Sequence, residues 1–116
     1  MERDVLVVLE EIAGAIEAIR EATGGRNFED FRKARVERLA VERAIEIISE
    51  AARRLPLDLL VRHPEIEWHK VKAIGNVLRY EYHRVSDKVI WDVVQYELDE
   101  LERAIWSEID PALRGT

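Results

Sequence analysis

Apolar residues recur at three- and four-residue steps along almost the whole chain, and hardly any stretch alternates with a period of two. Such spacing collects side chains on one face of a helix, whereas a half-buried strand needs strict alternation. The first helix has the stripe Val5, Val8, Leu9, Ile12, Ala15, Ile16 and Ile19; Asp4 caps it and Thr23-Gly24-Gly25 stops it. Asn27 is a good N-cap for a short turn, Phe28 to Arg32, with Glu29 and Asp30 placed favourably against the helix dipole. A longer helix, roughly Ala34 to Leu55, has the stripe Val36, Leu39, Ala40, Ala44, Ile47, Ile48, Ala51 and Leu55, and Pro56 ends it. Leu57 to Arg62 reads as a short helix closed by His63-Pro64, since a residue before proline is pushed out of the α region. Trp68 to about Tyr82 is amphipathic through Val71, Ala73, Ile74, Val77 and Leu78. After a turn at Arg84-Val85, Ser86 or Asp87 caps a last helix from about Lys88 to Ile109, with stripe Ile90, Val94, Leu98, Leu101 and Ile105. Asp110-Pro111 marks its end. The predicted fold is all-α, an up-and-down bundle of four main helices plus short helices.

At 116 residues the chain fits one domain, residues 1–116, with enough length for a single core. No repeat, low-complexity segment or linker interrupts it. The absence of cysteine rules out a disulfide framework and thiolate chemistry and suits a reducing cytoplasm. No apolar run approaches the ~20 residues of a membrane span, and MERDVLVVLEE lacks a signal peptide's basic start, so a cytoplasmic protein with no membrane partner is expected. The net charge of -6 speaks against wholesale nucleic-acid binding. The charge is uneven, however: positions 53–88 hold eight Lys/Arg against five Asp/Glu, and the rest ten against nineteen. A basic segment on an acidic body fits a local electrostatic footprint, but composition alone favours a chance distribution of surface charge.

Several chemistries lack their residues. Gly24-Gly25 follows a helix and does not open one, so it is a cap and not an anion cradle. Ser49 has no histidine at helical spacing. Glu42, Glu46 and Glu50 repeat every four residues on one helix face, but a carboxylate-bridged metal site also needs Glu-x-x-His, and none is present. Those three are expected to be solvated or partner-facing, and no metal or cofactor is expected. His63 reads as a turn residue, and Trp91 and Trp106 as packing residues at the edge of the last stripe.

The stretch Ile66 to Val93 concentrates the chemistry, with two of the three histidines, all but one tyrosine and two of the three tryptophans. On its helix Gly75, Asn76, Arg79, Tyr82 and His83 fall along one stripe, with Tyr80 beside it. A glycine inside a helix costs roughly 1 kcal/mol relative to alanine. Gly75 therefore implies a close approach by a partner helix or a ligand.

The residues MERDVLVVLEEIAGAIEAI, AVERAIEIISEAARRL, RHPEIEWHKVKAIGNVLRYEY and VIWDVVQYELDEL resemble, essentially end to end, the HepT-like members of the HEPN superfamily. The resemblance implies the toxin half of a toxin–antitoxin pair whose antitoxin is a minimal nucleotidyltransferase. It implies an all-helical homodimer in which two copies of the third block's helix meet across an RNA-cleaving cleft. Each copy would present an Arg, four residues, a His, one residue and a Tyr. In this chain Gly75 stands at the arginine position, Tyr80 at the histidine position and Tyr82 at the tyrosine position. Metal-free RNA cleavage wants a group titrating near 6.5 and a cation, and a phenol titrating near 10 is a poor base at neutral pH. Weakened or absent cleavage is therefore expected, unless the site works with Arg79, His83 and Tyr82 instead, beside Asn76. Tyr82 matches the residue to which the transferase attaches AMP, an anion that would pair with Arg79. The alternative is a non-catalytic subunit that binds the nucleotidyltransferase or a nucleotide.

Overall fold

A computed structural model describes residues 3–81 and 85–114. Within them the helices are α1 (Arg3–Thr23), α2 (Phe28–Lys33), α3 (Arg35–Ala52), α4 (Leu57–Val61), α5 (Trp68–Tyr80), α6 (Asp87–Tyr96) and α7 (Leu98–Arg114). No strand interrupts them among the described residues. α3 lies in the middle and packs on both α1 and α5, while α1 also packs on α7. The hairpins are antiparallel: Arg26 reaches Glu37 at one end of α1 and α3, and Arg54 reaches Glu11 near the other. Leu9, Ile12, Ile16 and Ile19 of α1 meet Ile45 and Ile48 of α3 and Ile105 and Ile109 of α7 in one core.

The short elements are held by caps and aromatic contacts. The Asn27 side chain accepts from the Asp30 N–H at 2.8 Å, and the Asp30 carboxylate accepts from the Asn27 N–H at 3.5 Å. This reciprocal box satisfies two donors that the helix start leaves open. It turns Phe31 inward, where its ring sits 5.2 Å from that of Trp91, so α2 anchors the start of α6. Gly25, at φ 73°, makes the left-handed exit from α1 that a side chain would resist. At the far end Glu108 takes hydrogen bonds from Arg62 at 2.8 Å and from the His63 ring at 2.7 Å, tying the chain after α4 to α7.

Four expectations need correction. The stripe assigned to the third segment is rotated: Val36 is 73% and Leu39 48% exposed, while Val41, Ala44, Ile45, Ile48 and Ala51 are buried. The expected stripe faces one neighbour, but α3 packs chiefly on two, α1 and α5, and the buried arc centres between them. The last helix is divided at Glu97, which closes α6 through its N–H to Val93, and α7 runs beyond Pro111. Proline there forfeits one hydrogen bond in the last turns and does not stop the chain. Trp106 is 44% exposed and does not join the core. Glu42 is buried, not solvated, and among the described residues its Oε2 has no hydrogen-bond partner.

Candidate functional site

α5 owes its position to Ser49. The Ser49 hydroxyl donates to the Lys72 carbonyl at 2.7 Å and accepts from the Gly75 N–H at 3.1 Å. Arg53 donates to the same carbonyl at 2.8 Å. A Cβ at Gly75 would lie 2.6 Å from Ser49 Oγ and 2.7 Å from its Cβ, so helix α3 itself makes the close approach. The stripe drawn through Gly75, Asn76 and Arg79 therefore divides. Gly75 is buried against α3, whereas Asn76, Arg79 and Tyr80 are exposed. Tyr82 and His83 lie outside the described residues.

Arg79 opens into a polar recess of about 200 Å³ with Glu11, Arg43, Glu46, Glu50 and Arg54. Most of those charges are already matched, Arg54 with Glu11 and Arg43 with Glu46 at 3.2 Å, while Glu50 lies 3.8 Å from Arg53. Among the described residues Arg79 makes no hydrogen bond or ion pair, which leaves its guanidinium available to an anion. Tyr80 is 73% exposed. On the outer side of α5, His69, Ala73, Asn76 and Tyr80 form an exposed row at steps of four, three and four residues. The sequence did not single out His69, although its membership of this row is legible in the spacing from Tyr80. Between the row and α6 runs an apolar groove of about 450 Å³, walled by Val71, Ile74, Val77, Val85, Val89 and Val93.

Two carboxylates elsewhere are displaced in opposite directions. Burial pushes Glu42 above the ordinary glutamate range, and Asp87 and Glu46 add to this, while Arg38 opposes it. Arg38 is instead paired to Asp87 at 3.2 Å. The Arg62 hydrogen bond holds Glu108 below the ordinary range, with His63 assisting. No group of three or more His, Cys, Asp or Glu among the described residues could hold a metal ion, and no described helix is long and apolar enough to cross a membrane.

Comparison with known proteins bears on this geometry. A family model for HepT-like ribonucleases matches residues 12–107. A protein of Thermococcus cleftensis named "Probable ribonuclease HepT" is 38% identical over 102 residues, covering 88% of this chain and 93% of its own length. A protein of Caldanaerobacter subterraneus subsp. tengcongensis, an RNase by name, is 34% identical over 97 residues, covering 84% and 87%. No solved structure matches. The match spans α5 with its exposed Asn76, Arg79 and Tyr80. The chain belongs to the HepT-like ribonuclease family.

Proposed function

We propose that the chain is a metal-independent RNA endonuclease toxin of a HEPN/MNT pair, weakened because Tyr80 stands where the family has histidine. The observation that carries this is the exposure of Asn76, Arg79 and Tyr80 together on α5, with Arg79 unneutralised. A phosphate chain lying along that helix would meet a cation at Arg79. Gly75 cannot regain an arginine without parting α3 from α5, so Arg79, one turn on, is the cation this backbone permits.

The working unit is a homodimer in which two copies of α5 face each other. The exposed face of α5 through Ala73, Asn76 and Tyr80, bordered by the apolar groove, leaves room for a second copy and supports this. AMP transfer to Tyr82 by a minimal nucleotidyltransferase would add an anion and silence the cleft.

The test is cleavage of single-stranded RNA and tRNA in EDTA by the present chain and by Tyr80→His. Feeble cleavage by the first and strong cleavage by the second is expected; equal, robust cleavage by both would overturn the weakened-site reading. A non-catalytic subunit that binds the nucleotidyltransferase is the second reading, favoured by the net charge of -6 and by Tyr80 itself. That reading predicts no cleavage from either form.

A further inference from the structure

One face of α3 stays open between α1 and α5. Arg43, Glu46, Glu50 and Arg54 follow one another there at steps of three, four and four residues, and they floor the polar recess. Glu11 of α1 and Arg79 of α5 form its walls. Counting Arg53, which lies 3.8 Å from Glu50, four arginines meet three glutamates. The recess is therefore locally positive on a chain whose net charge is -6. α3 and α5 run antiparallel, since Ser49 meets Gly75 while Arg53 meets the Lys72 carbonyl. From the Ser49–Gly75 contact, Arg79 lies four residues on along α5 and Arg43 six residues back along α3, about 6 and 9 Å at 1.5 Å per residue. The two arginines thus stand at nearly the same level.

Which edge of each guanidinium is in use separates these arginines. The Nε–Nη2 edge is a fork that matches two oxygens of a phosphate. Arg53 spends both of those donors on the Lys72 carbonyl, at 3.2 and 2.8 Å. Arg54 spends its Nη2 on Glu11. Arg43 gives Glu46 only its Nη1, at 3.2 Å, and among the described residues its Nε and Nη2 make no hydrogen bond. Its fork is open, as is that of Arg79. Glu46, partly buried, orients the Arg43 guanidinium from the opposite edge. Arg32 on α2 shows the contrast: it faces a glutamate at the same three-residue spacing, yet both fork donors are spent on Glu29, at 3.4 and 3.0 Å.

We infer that Arg43 binds an RNA phosphate through this open fork, next to the phosphate taken by Arg79, so that the RNA crosses from α5 onto α3. This rests on the ribonuclease reading above. The strand passes Tyr80 and Arg79 on α5 and then enters the recess, where Arg43 receives it. Glu46 acts as a positioning residue: it neutralises one edge of the guanidinium and leaves the other turned to the strand.

The experiment is fluorescence anisotropy with a labelled single-stranded RNA of 2′-O-methyl nucleotides, which cannot be cleaved, across a range of salt. Arg43→Ala should weaken binding about tenfold, as for a lost hydrogen bond to a charged group. It should also reduce the salt slope by about 0.7, one single-strand phosphate contact. Arg43→Lys should keep the slope and still lose about threefold or more in affinity, because an ammonium keeps the charge without the fork. Arg32→Ala removes the same charge from outside the recess and should change affinity by less than about twofold, since its fork is already spent on Glu29. Arg43 is exposed, and among the described residues its hydrogen-bond partner is Glu46 alone, so these variants should keep the unfolding midpoint. A reduced slope in Arg79→Ala with none in Arg43→Ala would overturn this inference and leave the ribonuclease reading standing. Equal losses in Arg43→Ala and Arg32→Ala would overturn it too, by showing a diffuse field, and so would full affinity in Arg43→Lys. No change in either Arg43→Ala or Arg79→Ala, or no binding of the RNA at all, would overturn the reading on which it rests.

Discussion

Gly75 and Ser49 are matched across α5 and α3: the glycine N–H donates to the serine hydroxyl at 3.1 Å, and there is no room for a Cβ between them. Gly75→Ala should therefore destabilise the fold by about 1–3 kcal/mol, the usual cost of overpacking a tight contact. Ser49→Ala should not relieve it, because the Ser49 Cβ lies within 2.7 Å of the added atom. Ser49→Gly should. Urea unfolding of the two double variants separates steric from hydrogen-bonding causes; equal stabilities would show that the contact is not steric.

Tyr80 is under no comparable constraint. It is 73% exposed, so Tyr80→His should change thermal stability by less than about 0.5 kcal/mol. RNA cleavage in EDTA should rise by two orders of magnitude or more, the range of a general acid–base residue. A large loss of stability with no gain in cleavage would show that the phenol is structural.

Arg79→Ala should lower RNA affinity and cleavage in the Tyr80→His background while leaving the unfolding midpoint in place, because Arg79 makes no hydrogen bond or ion pair among the described residues. The salt dependence of RNA binding should lose about one phosphate contact from its slope. An unchanged slope would place the RNA elsewhere.

The response of stability to pH has two opposing contributions. Glu108 titrates below the ordinary glutamate value of 4.5, so its contribution is full above that pH and is lost as pH falls through its folded value. Glu42 titrates above 4.5, so its ionised form burdens the native state at neutral pH, and the burden lifts on acidification toward 4.5. Glu42→Gln should thus raise stability at pH 7 by about 1 kcal/mol, with no gain at pH 4. Glu108→Gln should lower it at pH 7 by a similar amount, discounted because Arg62 is half exposed, and should flatten the acid limb. Denaturant unfolding from pH 3 to 8 measures both.

Mass spectrometry after incubation with the cognate nucleotidyltransferase and ATP should find adenylyl groups on Tyr82. Modification elsewhere, or none, would remove that route of silencing.

Local rules determined the elements. The period of 3.6, the cap at Asn27 and the stop at Gly24-Gly25 need only neighbours in sequence, and α1, α2 and the core of Ile12, Ile16, Ile48, Ile90 and Ile105 follow from them. The family blocks likewise fixed α5 as the helix of interest. Which side of α3 is buried depends on its having two partners, so Val36 and Leu39 were misplaced. The break at Glu97 and the burial of Glu42 beside Arg38 and Asp87 likewise arise between segments. So does the site. Only the α3–α5 contact turns Gly75 inward and leaves Arg79 and Tyr80 outward, because a helix's spacing sets which residues share a face, and its neighbours decide where that face looks.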